Sequence, residues 1–309
     1  VRRLTVWMVL IATAGVAAFW LLSAPVRLAA TDLAVFEAHE PDLANGENLF
    51  WAGGCASCHA APDAEGDARS ILSGGLALES PYGVFGVPGI SPDPDTGIGG
   101  WSFYDFANAM KRGVAPDGRH YYPSFPYASY AKMPLTDLAD LWAYLKTLPV
   151  PDSAAEIPQT QLSFPFNMRR GIGLWKRVYL DEGPVVADDA LGDDPVLTRG
   201  RYLVEGPGHC GECHTPRNIG LAMDGSRWLA GAPNPEGEGR VPNITGHADG
   251  LAGWTADDIA YGLESGFTPA FDSMGGSMAS VVKNLANAAA EDRAAIAAYL
   301  KAIPEIPDG

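Results

Sequence analysis

All four cysteines of this 309-residue chain fall in two copies of one pattern, Cys55-Ala56-Ser57-Cys58-His59 and Cys210-Gly211-Glu212-Cys213-His214. That spacing is the attachment signature of c-type haem. On a helical turn, residues three and four apart share a face. Two thiols can therefore reach the two vinyl groups of one porphyrin, and the next residue turns its imidazole onto the iron. A zinc site would need four ligands in a closed tetrahedron, and a redox dithiol has no use for the histidine. The motifs start 155 residues apart, which suits one haem per domain. Two covalent haem c groups are expected, bound through Cys55, Cys58, Cys210 and Cys213, with His59 and His214 on the irons.

The length allows two compact domains plus a tail. The 36 glycines and 25 prolines suggest long irregular connections, and the net charge is −16. An acidic surface argues against nucleic acid and against anionic lipid headgroups, and it favours a basic partner steered by charge; simple solubility is the alternative. Leu4 to Leu22 is a run of 19 residues without a charge, with Trp7 and Trp20 near its ends. As a helix it would span roughly 28 Å, close to a hydrocarbon core of about 30 Å. Arg2 and Arg3 precede it, which places the amino terminus in the cytoplasm and the rest outside. A cleaved signal peptide is the competing reading. It would have a shorter apolar region and a small-x-small site, whereas Leu22 and Leu28 occupy the −3 positions here. An uncleaved anchor in the bacterial inner membrane, with the remainder in the periplasm, is expected.

The two halves repeat one order of features. A short amphipathic segment with a glycine on its packing face precedes each motif, Leu43–Phe50 with Gly46 and Thr198–Val204 with Gly200. A Gly–Pro-rich loop follows, then a Trp-led helix start, Gly100-Trp101-Ser102 and Gly253-Trp254-Thr255. Ser102 and Thr255 are the expected N-caps. His59 lies 42 residues before Trp101, and His214 lies 40 before Trp254. Each half closes with an apolar-striped helix, Leu135 to Leu148 and Ala290 to Ile303, ending in Tyr-Leu-Lys and then proline (Pro149, Pro304). No alternation runs long enough to predict a sheet, so the chain reads as all-α with internal duplication. The assigned segments are 1–30 anchor and flank, 31–150 first haem domain, 151–194 linking strap, and 195–309 second haem domain. The strap carries aromatics and local positive charge at Ser163–Arg170 and Trp175-Lys176-Arg177. It is read as packed across both domains, with partner docking as the alternative.

His59 and His214 fill one axial position each. A high-potential carrier adds Met, whereas a second His lowers the potential and an open position permits ligand chemistry. The second ligand should come from the loop before each closing helix. In the second half Met278 is chosen over Met274. In the first, Met133 is the only methionine of the loop, with His120 or an open iron as alternatives. The two loops do not look alike, since Met133 precedes Tyr144 by 11 residues and Met278 precedes Tyr299 by 21.

From about Pro41 to Pro304 the chain resembles the membrane-associated cytochrome c subunits of bacterial alcohol and gluconate dehydrogenases and their diheme relatives. The matching stretches include Ser91-Pro92-Asp93-Pro94-Asp95-Thr96-Gly97, Tyr122-Pro123-Ser124-Phe125-Pro126-Tyr127, and His209-Cys210-Gly211-Glu212-Cys213-His214-Thr215-Pro216-Arg217-Asn218. The resemblance implies two tandem class-I-like cytochrome c domains after one N-terminal transmembrane helix. It also implies electron transfer from a dehydrogenase towards quinone or an oxidase, and this chain is read as carrying single electrons between a dehydrogenase or quinol-oxidising complex and an acceptor or terminal oxidase. Three departures stand out. Those subunits usually carry three haems, and two motifs exist here. Many have Pro-x-Met-Pro-Tyr, with that Met as ligand, where this chain has Phe125. Asn243-Ile244-Thr245 of the second half is Gly89-Ile90-Ser91 in the first, which removes from the first site an Asn able to bond a propionate. The leading reading is a membrane-tethered periplasmic diheme electron carrier without a substrate of its own. The alternatives are a diheme enzyme of thiosulfate dehydrogenase or peroxidase type, and a fixed haem subunit of an oxidase or dehydrogenase complex.

Overall fold

The apolar run Arg2–Leu22 forms one helix, α1, in which no residue is buried. In this computed structural model, residues 2–235 and 237–308 are described. Residues 1 and 309, the outer limits of the assigned segments, lie outside the described residues. The first half follows as α2 (Ala34–Ala38), α3 (Leu43–Ala52), α4 (Cys55–His59), α5 (Phe103–Arg112), α6 (Tyr127–Tyr130) and α7 (Leu135–Leu145). The strap contains α8 (Gly171–Tyr179) and α9 (Asp188–Leu191). The second half runs α10 (Pro195–Glu205), α11 (Gly211–His214), α12 (Ala256–Ser265), α13 (Ser277–Leu285) and α14 (Ala290–Ala302).

The repeat expected from sequence is visible in how helices cross. A Cβ placed on Gly46 would stand 2.2 Å from the Asp140 carbonyl oxygen and 2.8 Å from Tyr144 Cβ. On Gly200 it would stand 2.0 Å from the Ala295 oxygen and 2.7 Å from Tyr299 Cβ. Thus α3 crosses α7, and α10 crosses α14, backbone against backbone, and only glycine permits that approach. The caps repeat too. Asp105 N–H donates to Ser102 Oγ at 3.2 Å while Asp105 Oδ2 accepts from Ser102 N–H at 3.2 Å. Thr255 and Asp258 make the same reciprocal pair at 3.1 and 2.8 Å. These close the first turns of α5 and α12, and each helix ends on a left-handed glycine, Gly113 or Gly266.

Two apolar clusters result. One gathers Leu49, Phe50, Leu72, Phe106, Met133, Leu138 and Trp142. The other gathers Leu203, Val204, Trp228, Leu229, Ile259, Ile296 and Tyr299. Trp51 and Tyr202 pack against both. The fold departs from a purely helical one in a small respect: β1 (Ala77–Ser80), β2 (Gly83–Gly86) and β3 (Gln161–Leu162) form an antiparallel sheet in that order, and β4 (Ala232–Pro233) pairs with β5 (Arg240–Val241). Strands of two to four residues are too short to leave a period-two signature.

The strap does bridge the halves. β3 pairs with β2, Lys176 of α8 donates to the Arg112 and Gly113 carbonyls, and Trp175 Nε1 donates to Gly220 O at 2.8 Å. Further on, the Val185 and Val186 N–H groups donate to the buried Glu205 carboxylate at 2.6 and 3.0 Å. The chain leaving α1 packs on the first half, where Leu28 N–H donates to Asn108 Oδ1 at 2.8 Å.

Candidate haem sites

Each Cys-x-x-Cys-His turn is set by a left-handed residue just before its first cysteine, Gly54 (φ 63°) in one and His209 (φ 38°) in the other. The reversal turns the chain out of α3 or α10 and starts the short helix that carries the thiols and imidazole. In both, the histidine is fixed the same way. His59 Nδ1–H donates to the Pro88 carbonyl at 2.8 Å, and His214 Nδ1–H donates to the Pro242 carbonyl at 2.8 Å. That bond fixes the tautomer and leaves Nε2 with its lone pair, the form an iron requires. Burial lowers the pKa of both imidazoles, against the pull of the carbonyl bond, and so favours that neutral form. Burial, with the neighbouring Cys58 or Cys213 adding to it, pushes the Cys55 and Cys210 thiols up to about 12. The donor set is therefore two thiols and one neutral, oriented imidazole per site, which matches covalent haem c. No cluster of three or more His, Cys, Asp or Glu able to hold a metal ion occurs among the described residues.

Of the expected second ligands, Met133 is 1 % exposed within the first cluster, and Met278 is half-buried against the second. Met274 packs elsewhere, its methyl 2.7 Å from where a Gly262 Cβ would lie on α12. His120 is committed on both nitrogens. Its Nε2–H donates to Ser23 O at 2.9 Å, and Nδ1 accepts from Lys176 Nζ at 3.2 Å. That removes it from the candidates for the first iron. The two loops are also more alike than their spacing suggests. Tyr121 N–H donates to Gly113 O and Met274 N–H to Gly266 O, both at 2.7 Å, and both loops carry the isolated bridges Val114↔His120 and Phe267↔Ser273. Counting on from these matched bonds, Phe125 takes the position of Met278. Asn243 is occupied in holding the C-terminal tail. Its Nδ2 donates to Ile306 O at 2.7 Å, and its Oδ1 accepts from Thr245 N–H and Oγ1–H, each at 2.8 Å.

Sequence reasoning missed how the two sites meet. Ser57 of the first motif accepts from Asn284 Nδ2 at 2.6 Å and donates to Ser280 O at 3.4 Å, both on α13 beside Met278. Glu212, the equivalent position of the second motif, accepts from Ser129 Oγ at 3.3 Å on α6, in the loop of Met133. His209 Nε2 and the Tyr130 hydroxyl both approach Gly53 O, at 3.3 and 3.4 Å, and their rings meet edge to face at 5.7 Å. Each attachment turn thus faces the other half's ligand loop. The only sequence hint was that His209 directly precedes Cys210.

A crossed pair of terminal helices enclosing a Cys-x-x-Cys-His turn, with its histidine fixed through Nδ1, defines a c-type cytochrome domain. The Cytochrome c family model matches residues 43–149. The chain is 53 % identical over 306 residues to a diheme cytochrome c-type protein of Cereibacter sphaeroides, covering 99 % of each. It is 37 % identical to the fructose dehydrogenase cytochrome subunit of Gluconobacter japonicus, over 95 % of this chain and 59 % of that one. It is 33 % identical to the cytochrome c subunit of the quinone alcohol dehydrogenase of Gluconobacter oxydans, over 94 % and 61 %. The chain spans about three-fifths of the length of those two subunits. This chain belongs to the cytochrome c family, among its diheme members; it carries covalently bound haem c and serves electron transfer.

Proposed function

We propose that the protein is a membrane-anchored diheme electron carrier, passing single electrons from a dehydrogenase or quinol-oxidising complex to an acceptor or terminal oxidase. Two tandem cytochrome c domains, 31–150 and 195–309, are joined by the strap 151–194. Cys55 and Cys58 hold one haem and Cys210 and Cys213 the other. His59 with Met133, and His214 with Met278, would ligate the two irons. A haem held by these residues would supply one-electron redox chemistry. The protein's own residues do the rest. The Pro88 and Pro242 carbonyls hold the imidazoles in orientation, and the buried clusters keep water away. α1 ties the carrier to the bacterial inner membrane, with both domains in the periplasm.

One observation carries this reading: the two attachment turns abut through Gly53, Tyr130 and His209. Electron exchange falls steeply with distance, and this contact brings the two sites together within one chain. The relatives named for fructose and alcohol dehydrogenases support a dehydrogenase as donor. The test is mild solubilisation of membranes containing the chain, followed by addition of alcohols, gluconate or fructose. Haem reduction in the membrane extract, lost when the purified chain is tested alone, is expected. Substrate oxidation by the purified chain alone would overturn the carrier reading.

A further inference from the structure

Between Ser163 and Leu180 stand Arg169, Arg170, Lys176 and Arg177 and not one acid, in a chain with 37 acids against 21 Lys and Arg. This stretch grips the end of α1. Arg170 Nη2 donates to Trp20 O at 2.7 Å, its Nε donates to Ser23 Oγ at 2.9 Å, and its guanidinium lies 4.3 Å over the Trp20 ring. Arg177 Nε donates to Leu22 O. The turn leading into this clamp is compact, with Asn167 N–H donating to Ser163 O and Met168 N–H to Pro165 O. It displays Phe164 and Met168 at 77 % and 53 % exposure, with Phe166 also exposed. Val178 and Val26 extend the exposed apolar surface beside Arg177.

Single exposed apolar side chains need no explanation. Here they share one turn, Arg169 and Arg170 follow them directly, and Arg170 fixes them at the level of the last turn of α1. For a spanning helix that level is the headgroup layer, where aromatic rings and cations are favoured. We propose that the Ser163–Arg170 turn is a second membrane contact: Phe164, Phe166 and Met168 enter the headgroup–acyl boundary, and Arg169, Arg170 and Arg177 lie against lipid phosphates. The proposal rests on the reading of α1 as a retained anchor. It also revises the expectation that an acidic chain avoids anionic lipid, because net charge averages over the whole surface, whereas this stretch holds four bases and no acid. A helix alone would let the body swivel. The second contact fixes the first domain towards the bilayer, since Arg169 donates to His120 O at 2.8 Å and Lys176 donates to His120 Nδ1 at 3.2 Å.

The test uses the full haem-loaded chain in vesicles of phosphatidylcholine and phosphatidylglycerol. The native thiols are consumed by haem, so a nitroxide attaches only at an added cysteine: Phe164→Cys, Met168→Cys, or Phe271→Cys as a control in the second half, where Phe271 is 86 % exposed. Collisions with oxygen, relative to those with a water-soluble nickel chelate, should be several-fold more frequent for the labels on F164C and M168C than for that on F271C. Two positions are labelled so that a folding defect in one leaves the other readable. If the vesicles float with the protein but both turn labels meet nickel as freely as the control, the membrane contact is refuted while the anchor stands. If the chain does not float at all, the anchor reading falls and the proposal falls with it.

Discussion

Replacing Gly200 by alanine should loosen the second half by separating α10 from α14. The new Cβ would lie 2.0 Å from the Ala295 oxygen and 2.7 Å from Tyr299 Cβ, whereas real Cβ contacts essentially never fall below 3.0 Å. The obstacle is a backbone carbonyl inside a helix, which cannot rotate away, so the helices must part by roughly 1 Å. A gap of that size forfeits about a quarter to a half of the dispersion at each contact it opens. The crossing is lined by Leu203, Val204, Ile296, Tyr299 and Leu300, all at most 4 % exposed. Overpacking of this kind costs about 1–3 kcal/mol or more, and the gain in helix propensity from Gly to Ala offsets about 1 kcal/mol of it. With several buried contacts opened at once, a net loss of about 1–2 kcal/mol is expected, equivalent to a fall in Tm of roughly 5–10 °C for a domain of this size. Thermal melts of the haem-loaded protein, followed by far-ultraviolet circular dichroism and by Soret absorbance, read it directly. Gly46→Ala should act likewise in the first half, while Gly171→Ala, whose Cβ meets nothing within 4 Å, should not. A G200A protein melting within a degree of wild type would show that the crossing is not as close as described.

Further predictions concern the irons, the strap and the partner. If each methionine supplies one sulfur, Met278→Ala should remove about half of the weak sulfur-to-ferric-iron band at the red edge of the spectrum and Met133→Ala the other half; an unchanged spectrum in M133A would exclude Met133. The His120–Lys176 latch should tighten as pH rises. Burial, followed by the nearby Lys176, Arg170 and Arg169, lowers the His120 pKa below 6.5, and burial lowers that of Lys176 from 10.5 to about 7. In both windows the unfolded segment binds more protons than the folded one, so stability rises with pH up to about 6.5 for His120 and from about 7 to about 10.5 for Lys176. Hydrogen exchange of the strap amides, corrected for intrinsic rates, should slow across both windows; faster opening at alkaline pH would contradict the assignment. The bimolecular rate with a basic redox partner should fall as ionic strength rises to physiological values, because charge attraction is screened within about 8–10 Å. Stopped-flow rates indifferent to both salt and partner concentration would indicate a permanently bound partner instead.

What the sequence revealed was local. The attachment motifs, the caps Ser102 and Thr255, the packing glycines and the closing helices all leave marks within a few residues. Gly46 and Gly200 are identifiable because they stand on the apolar faces of short helices, and the structure places a carbonyl against each. What escaped notice was non-local. His120 reads as a possible ligand until Ser23 and Lys176, far away in sequence, are seen to occupy both its nitrogens. The reciprocal contacts of Ser57 with α13 and Glu212 with α6 join residues 223 and 83 positions apart, and no spacing rule anticipates them. The dissimilar spacing of Met133 and Met278 concealed two loops that begin alike, because the divergence comes after Phe125 and Met278. The clamp of Arg170 and Arg177 on α1 was unreadable for the same reason, although the basic run itself was plain.

Haem content and carbon monoxide reactivity of the ferrous protein test the central claim most directly. A carrier with both irons closed by His and Met should contain two haems per chain, and its ferrous spectrum should not change on addition of carbon monoxide. One haem per chain, or stoichiometric carbon monoxide binding at the first site, where Phe125 stands in the position of Met278, would contradict the account and point to an enzyme with an open iron.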